Sequence, residues 1–315
     1  MSARRASARP VAGVPARRRS IEVESATTAF WEYGDPDAST TVVLVHGFRG
    51  DHHGLEPFAA RLAATDGVRA IVPDLPGFGV SEPLRQEHDI DAYAAWLLAF
   101  IATIGPQGRF VLLGHSFGSI VVSAALASAV SGAARPDLVV LVNPIGAPAL
   151  KGPRAVFTRL AIFYYWLAAV LPDALGFTLL RSRVIVRVMS EVMAKTDDRP
   201  LRRWINEQHD RYFSAFANRT VVLEAFRASV RHNVSEYASG IAEPVLLLAA
   251  EKDDITPLSA QRRLRALFPD ARLLVIDGVG HLVHYEAPDE AAREIRAFLD
   301  DAAGMGNGSG AGEAS

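Results

Sequence analysis

The chain of 315 residues contains no cysteine, which excludes disulfide bonds and thiolate metal sites and favours a cytoplasmic location. It also lacks an apolar run of the ~20 residues that a membrane-spanning helix needs. No apolar segment typical of a signal peptide follows the arginines at the beginning of the chain. The net charge of −2 gives no excess of basic residues, so we expect no nucleic-acid partner.

The charge is unevenly distributed along the chain. Residues 1–20 hold six arginines and no acidic residue, which, subtracted from −2, leaves −8 for the rest of the chain. We expect this segment to be a disordered basic arm, with a solvated tail favoured over a role at a membrane or in transit. Residues 303–315 are rich in glycine, serine and alanine, and we expect them to form a flexible tail.

Short apolar, β-branched runs bounded by turn residues predict strands that are buried on both faces. These runs are Thr28–Tyr33, Thr41–Val45, Arg69–Val72, Arg109–Leu113, Leu138–Val142, Val245–Ala249 and Arg272–Ile276. Segments of helical period lie between most of them, namely Leu55–Ala64, Ile90–Ile104, Ser116–Ala129, Pro257–Leu267 and Pro288–Leu299. The alternation predicts an α/β fold with a mostly parallel sheet and helices on both faces.

The alternation stops in residues 146–240, which have a helical pattern throughout and many aromatic residues. We therefore predict an α-helical cap there, inserted into a core made of residues 21–145 and 241–302. Within the cap, Leu160–Leu171 is apolar without interruption. We expect that run to pack on the core or to line an acyl pocket, with contact to a lipid interface as the weaker alternative.

A serine stands at a sharp turn between a predicted strand and a predicted helix, in the motif Gly114-His115-Ser116-Phe117-Gly118. Gly114 and Gly118 fit a turn so tight that a side chain would collide with the adjoining strand or helix. A serine placed in this way stands clear of the sheet and can attack a carbonyl carbon. Ser116 is therefore the predicted nucleophile.

A serine hydroxyl needs a base to take its proton and a third group to hold that base in the right tautomer. On a fold of this kind the acid and then the histidine follow the serine, each in a loop after a strand. Asp253 and His281 occupy two such loops in that order. We predict His281 as the base and Asp253 as the acid, with Asp254 as the competing acid and Glu251 as a weaker candidate.

The reaction also needs hydrogen-bond donors for the charge that develops on the carbonyl oxygen. His46-Gly47-Phe48 follows the predicted strand that ends at Val45, and Gly47 permits close approach of the backbone. We predict that the backbone N–H groups of Phe48 and Phe117 form the oxyanion hole. His46 is expected to support this loop by hydrogen bonding rather than to act as a base.

These segments resemble the α/β-hydrolase superfamily, in its branch of capped esterase/lipase-like and C–C hydrolase-like serine hydrolases. The matching pieces are Val45–Phe48, Pro73–Ser81, Gly114–Gly118, Glu251–Pro257 and Gly278–His281. The resemblance implies the α/β-hydrolase fold and a structural role for Asp74. Ser116 stands where haloalkane dehalogenases and epoxide hydrolases of this fold have aspartate, which favours an ester-type carbonyl. Asn143 stands where some relatives place the acid and cannot act as a carboxylate, which leaves that role to Asp253.

Other polar residues have more ordinary explanations. In Asp51-His52-His53, two adjacent histidines cannot easily face one ion, so no metal site is predicted; a place at the mouth of the site is the alternative for either histidine. His284 is expected at the surface or at the start of a helix. Arg49 is also expected at the surface, with binding of a substrate carboxylate as the alternative.

The sequence thus predicts a monomeric or dimeric serine hydrolase that acts on a carboxylic ester with a hydrophobic acyl or aromatic group. The predicted mechanism needs no cofactor. One alternative is hydrolysis of a C–C bond, or a lyase reaction, on the same triad. The other is a ligand-binding protein that keeps the fold and has slow or absent turnover.

Overall fold

The central element of the molecule is an eight-stranded sheet. This computed structural model describes residues 14–130, 132–148 and 155–307, apart from the side chains of 155–158 and 303–307. The strands are β1 (Arg17–Val23), β2 (Ala26–Tyr33), β3 (Thr40–Val45), β4 (Val68–Pro73), β5 (Arg109–His115), β6 (Leu138–Val142), β7 (Val245–Ala250) and β8 (Ala271–Ile276). They pair in the order β1-β2-β4-β3-β5-β6-β7-β8. Strands β3 to β8 run parallel, whereas β2 pairs antiparallel with β1 and β4. The predicted mostly parallel α/β fold is confirmed.

Helices cover both faces of this sheet. They are α1 (His52–Ala63), α2 (Ile90–Ile104), α3 (Phe117–Ser128), α4 (Ala155–Val170), α5 (Asp173–Leu180), α6 (Arg183–Met193), α7 (Arg199–Tyr212), α8 (Arg219–Arg231), α9 (Leu258–Arg265), α10 (Val283–Glu286) and α11 (Pro288–Asn307). Helices α1 and α11 pack on one face, and α2, α3 and α9 pack on the other. Two hydrophobic layers therefore enclose the strands.

Strand β5 shows why the strand sequences are almost wholly apolar. Successive side chains of a strand point to opposite faces. Val111 and Leu113 pack in the layer under α1 and α11, whereas Phe110 and Leu112 pack in the layer under α2 and α3. Both sets need apolar side chains, so the pattern is a continuous run rather than an alternation.

Helices α4 to α8 and two single-turn 3₁₀ helices occupy the described part of the segment between β6 and β7. This arrangement agrees with the helical insertion predicted for residues 146–240, although the domain limits themselves stay predictions. The cap is joined to the core at an isolated antiparallel bridge between Phe78 and Phe216. Backbone hydrogen bonds flank that bridge, from Gly79 to Ala215 at 2.8 Å and from Ala217 to Gly77 at 2.9 Å. None of the described helices is both long and apolar enough to cross a bilayer.

The disordered arm predicted for residues 1–20 is wrong for residues 17–20, which form the first part of β1. This strand lies at the edge of the sheet, so its side chains are mostly exposed and lack the apolar pattern of the central strands. Arg19 is held by the carboxylate of Glu32 on β2, at 3.3 Å. Residues 1–13 lie outside the described part of the chain.

The flexible tail predicted for residues 303–315 is wrong for residues 303–307, which continue α11. Alanine is the strongest helix former, so Ala302 favours the extension of α11 beyond Asp301. An ion pair of 2.7 Å between Arg272 and Asp301 ties this end of α11 to β8. Residues 308–315 lie outside the described part of the chain.

Candidate active site

Ser116 lies at the turn between β5 and α3, and its backbone is strained. Its φ of 53° and ψ of −118° fall outside the regions that a serine ordinarily adopts. Such strain is kept only where the surroundings hold it in place, and it is concentrated at functional sites. The turn presents a half-buried Ser116 at the carboxyl edge of the sheet, while Phe117 beyond it begins the helix.

Glycines allow the elements around this turn to come into contact. A Cβ atom on Gly114 would lie 2.5 Å from the carbonyl oxygen of Gly118, and a Cβ on Gly118 would lie 2.2 Å from that of Val45. A Cβ on Gly47 would meet the Cβ of Ser116 at 3.2 Å. The loop after β3 is thus pressed against the turn that carries the serine.

Ser116, His281 and Asp253 form one hydrogen-bonded chain. The Oγ of Ser116 lies 2.8 Å from Nε2 of His281, and Nδ1 of His281 lies 2.7 Å from Oδ2 of Asp253. Because a carboxylate only accepts, Nδ1–H donates to Asp253 and Nε2 is left to accept from the serine. The competing acid Asp254 instead lies 2.6 Å from the ammonium group of Lys195.

Asp253 is held as an anion in a buried position. Its Oδ1 accepts from the backbone N–H groups of Ile255 and Thr256, and its Oδ2 also accepts from the Thr256 hydroxyl. Burial alone would raise the pKa of this carboxyl group, but His281 and the Thr256 hydrogen bonds outweigh it and lower the pKa to about 2. A fixed negative charge therefore faces Nδ1 of the histidine at neutral pH.

The two predicted oxyanion donors adjoin the serine from different elements. Phe117 is the first residue of α3, where backbone N–H groups have no partner inside the helix and the helix dipole favours negative charge. Phe48 follows Gly47 in the loop after β3, and its ring lies 6.4 Å from that of Phe117. The hydrogen bond from Gly50 N–H to the Gly47 carbonyl, at 3.0 Å, closes that loop into a tight turn.

His46 lies under the same loop and is buried. Its Nε2 accepts from the backbone N–H of Leu75 at 2.9 Å, which leaves Nδ1–H to donate to the carbonyl of Gly47 at 2.9 Å. Burial lowers the pKa of His46, so the ring stays neutral. Its geometry agrees with the supporting role predicted from the sequence.

Asn143 contributes a contact that the sequence analysis missed. Its amide donates to the carbonyl of His281 at 2.9 Å, and its side-chain oxygen accepts from the N–H of Ala250 at 2.8 Å. The side chain therefore joins the loop of residues 277–282, which carries His281 and is called the histidine loop below, to the end of β7. Its φ of 44° lies in the left-handed region that asparagine tolerates better than most residues, but no sequence motif predicted its partners.

Glu286 is a second residue that the sequence analysis missed. This fully buried carboxylate accepts from the N–H of Gly280 at 2.6 Å and from those of Lys195 and Thr196 at 2.6 and 2.5 Å. Gly280 precedes His281, whereas Lys195 and Thr196 connect α6 to α7. Glu286 thus ties the histidine loop to the cap, a link that only the folded chain reveals.

His284 lies at the start of α10, one of the two positions expected for it, but it is buried and not at the surface. Its ring centroid lies 4.4 Å from that of His115. Burial and the neighbouring histidines lower its pKa well below the ordinary value. Burial likewise lowers the pKa of His115 to about 3, so both rings behind His281 are neutral.

Arg49 also departs from the expectation of a surface side chain. It is fully buried at a φ of 60°, and its guanidinium donates to the carbonyls of Leu180 at 2.6 Å and Phe213 at 3.2 Å. A further bond of 3.2 Å reaches the hydroxyl of Tyr165. The side chain begins in the loop after β3 and joins three elements of the cap to the core.

Asp51, His52 and His53 place one potential metal-ligand atom each within 4.8 Å of one another. Protein carboxylates engage both rings: Nδ1 of His52 lies 2.9 Å from Asp74, and Nδ1 of His53 lies 3.2 Å from Asp51. His52 is also buried against Trp31, with ring centroids 3.2 Å apart. These contacts give Asp74 the structural role that the resemblance implied.

Comparisons with known proteins agree on the family. The alpha/beta hydrolase family model matches residues 42–294. Lipase 3 of Moraxella sp. (strain TA144) is 24% identical over 295 residues, covering 90% of this chain and 86% of the lipase. The uncharacterized hydrolase YugF of Bacillus subtilis (strain 168) is 27% identical over 295 residues, covering 90% of this chain and 98% of that protein.

A solved esterase from Thermogutta terrifontis shares the fold, with a TM-score of 0.70 at 22% identity, over 91% of this chain and 99% of the esterase. The family match extends from β3 into α11. It includes the turn that carries Ser116 and the two loops that carry Asp253 and His281. The chain therefore belongs to the alpha/beta hydrolase family.

Proposed function

We propose that the protein is a serine hydrolase that cleaves a carboxylic ester with a hydrophobic acyl or aromatic group. The observation that carries this proposal is the chain of hydrogen bonds from Ser116 through His281 to Asp253, at 2.8 and 2.7 Å. The chain joins a nucleophile, a base and a buried anion in the order that acyl transfer requires.

In the first step, Oγ of Ser116 attacks the ester carbonyl carbon while Nε2 of His281 takes the hydroxyl proton. The imidazole then carries a positive charge, which the ionised Asp253 stabilises across the 2.7 Å hydrogen bond. The same bond keeps the ring in the tautomer whose Nε2 can accept a proton.

The attack converts the carbonyl oxygen into an anion that needs donors already in place. The backbone N–H groups of Phe48 and Phe117 supply them in this proposal. Because both belong to the backbone of tightly packed elements, they need little reorganisation as the charge develops. The N-terminal end of α3 adds the favourable field of its dipole.

The tetrahedral intermediate then collapses. The bond to the alkoxy group breaks, and the proton on His281 passes to the leaving alcohol. An acyl-enzyme on Ser116 remains. A water molecule gives its proton to His281 and attacks the acyl carbon, which releases the carboxylic acid and restores the serine hydroxyl.

The side chains beside the proposed oxyanion loop favour an apolar substrate. The Phe48 ring lies between 5.8 and 6.4 Å, centroid to centroid, from the rings of Phe78, Phe117, Tyr165 and Phe226. This aromatic cluster joins the core to the cap at Phe48 and Phe117, the two proposed oxyanion donors. Apolar surroundings of this kind suit a hydrophobic acyl or aromatic group, and the similarity to Lipase 3 points the same way.

The alternative of C–C bond hydrolysis loses its candidate for holding a substrate carboxylate. Arg49 was that candidate, but its guanidinium is engaged by two cap carbonyls and the Tyr165 hydroxyl. Ester hydrolysis needs no such cation, which favours it over the alternative.

The test is hydrolysis of p-nitrophenyl esters from acetate to palmitate by the wild type and by Ser116→Ala. We expect turnover with a preference for a hydrophobic acyl group, and a loss on the order of 10³-fold or more in the variant. Ser128→Ala, at the exposed end of α3, is the matched control and should keep full activity. Equal turnover by Ser116→Ala would contradict the assignment of the nucleophile, and no turnover by a folded wild type would contradict ester hydrolysis.

A further inference from the structure

Large apolar side chains are concentrated on the outside of the cap. Of the 12 large hydrophobic residues that are exposed in the described part of the chain, eight lie on α4, α5 and α6. Each is more than half exposed: Leu160, Phe163, Trp166, Val170, Leu175, Val184, Val188 and Val192. Helices α4 and α5 pack on each other, and α6 follows α5 after Arg181 and Ser182. We call the eight side chains together the α4–α6 face. A monomeric protein in water gains nothing from such a concentration, which marks an interaction surface.

The exposed residues follow helical spacing. Leu160, Phe163 and Trp166 are three residues apart on α4, and the rings of Phe163 and Trp166 stack with centroids 5.7 Å apart. Val184, Val188 and Val192 are four residues apart on α6. Residues with these spacings share one side of a helix, so α4 and α6 each present an apolar stripe to the outside.

The charges beside these stripes are predominantly basic. Exposed arginines lie on or next to the three helices, at Arg159, Arg181, Arg183 and Arg187, of which Arg187 is paired with Asp210 on α7. The acidic residues in the same stretch are Asp173 and Glu191, and each is neutralised by an arginine elsewhere on the cap, at 2.8 and 2.9 Å. An apolar surface with a basic border suits a layer of anionic lipid headgroups.

The inner side of α4 contacts the catalytic half of the molecule. The Tyr165 ring stacks on Phe226 at 3.8 Å and lies 5.8 Å from Phe48, next to the proposed oxyanion donor. Tyr165 and Trp166 are adjacent in the chain and lie about 100° apart around the helix, so that one is buried and the other exposed. A surface that contacts the outer side of α4 would therefore lie one helix away from the site.

We propose that the α4–α6 face is a docking surface for lipid aggregates that contain anionic headgroups, with Phe163 and Trp166 inserted below the headgroup level and the arginines at the phosphates. Tryptophan and arginine suit this position because each combines an apolar body with a polar or charged end. A second copy of the chain fits less well, because apposing two such faces would bring the basic borders together.

Vesicle binding tests this proposal without relying on catalysis. The full-length Ser116→Ala protein is sedimented with vesicles of phosphatidylcholine, or of phosphatidylcholine with one quarter phosphatidylglycerol. We expect binding to the anionic vesicles that weakens as salt is raised. Adding Phe163→Ser and Trp166→Ser should weaken it on the order of tenfold or more, since both apolar insertions are lost.

Val130→Ser is the matched control, because Val130 is exposed and apolar but lies outside the cap. It should leave vesicle binding unchanged, and an unaltered circular dichroism spectrum checks that the double variant folds. Equal binding by the double variant would overturn the proposal, as would no binding to anionic vesicles. A concentration-dependent dimer that the double variant abolishes, without vesicle binding, would assign the face to a second copy instead.

Discussion

The carboxyl edge of the sheet and the α4–α6 face of the cap differ in the side chains that they bury and expose. At the sheet edge, polar groups such as Asp253, His281 and Glu286 are buried and held by hydrogen bonds of 2.5 to 3.0 Å. On the α4–α6 face, large apolar groups such as Trp166 are exposed to water. The polar groups at the sheet edge depend on partners within the protein, whereas the apolar groups of the α4–α6 face are suited to contact with another surface.

The two regions differ in the substitutions that they tolerate. A buried charge without its partners is costly, so the sheet edge depends on each hydrogen bond around it. An exposed side chain contributes little to the stability of the free protein, so the α4–α6 face can vary without loss of the fold. Substitutions at the sheet edge, and where the cap meets the core, therefore test this difference.

The largest effect is expected at the acid. Asp253→Asn removes the charge that is proposed to orient the ring and stabilise the imidazolium, so kcat should fall by ~10³ to 10⁴-fold. Asp254→Asn is the matched control, because its exposed ion pair with Lys195 lies outside the hydrogen-bonded chain and should change kcat only a few-fold. Steady-state hydrolysis of one p-nitrophenyl ester gives both values, and the reverse ranking would move the acid by one residue.

A smaller loss is expected from Gly118→Ala. The new methyl group would collide with the Val45 carbonyl oxygen and would push the loop after β3, which carries the proposed donor Phe48, away from the turn at Ser116. Displacing one donor should lower kcat by ~10² to 10³-fold. Gly240→Ala is the control, since a Cβ there meets nothing within 4 Å. A variant that keeps both its melting temperature and its activity would show that the loop does not need this close approach.

A substitution at Arg49, where the cap meets the core, should lower the stability of the protein rather than the rate of the reaction. Arg49→Met leaves the carbonyls of Leu180 and Phe213 without their donor, so the free energy of unfolding should fall by about 3 kcal/mol. Arg183→Met, on the outer surface of α6, should change it by less than about 0.5 kcal/mol. Denaturant titration measures both, and equal values would mean that Arg49 does not secure the cap.

The cap should also be sensitive to acid through His209 on α7. Burial lowers the pKa of this histidine to about 4, so the folded state disfavours its protonation. The unfolded chain takes up that proton below about pH 6.5, so the stability is full above this pH and is lost as the pH falls towards 4. Between pH 7.5 and pH 5, proton uptake by His209 in the unfolded chain should lower the free energy of unfolding by about 2 kcal/mol. His209→Gln should abolish this part of the decrease. An unchanged pH dependence of the melting curve would contradict a buried, neutral His209.

Sequence patterns predicted the parallel strands because their side chains are buried on both faces and therefore apolar throughout. They missed β1, since an exposed edge strand that begins Arg17-Arg18-Arg19 carries no such pattern. The glycines around Ser116 marked the sharp turn because the steric demand is local. The partners of Asn143, and the partners of Glu286 in the cap, lie on elements distant in the chain, so no local pattern could indicate them.

The environments of Arg49 and His284 could not be predicted for the same reason. Each is a polar side chain whose burial is decided by elements that pack over it, namely α4, α5 and the end of α7 for Arg49 and the neighbourhood of His115 for His284. Polar residues are mostly exposed in proteins, so a surface position was the natural expectation.

Covalent labelling shows directly whether Ser116 is a nucleophile that His281 activates. A p-nitrophenyl alkylphosphonate should form one adduct per chain, located on Ser116 by peptide mass spectrometry, with release of one equivalent of p-nitrophenolate. His281→Gln should slow that labelling on the order of 10³-fold, because the base is lost while the serine remains. An adduct on another residue, or labelling that proceeds equally fast without His281, would contradict the account of Ser116 as a serine activated by its hydrogen-bonded histidine.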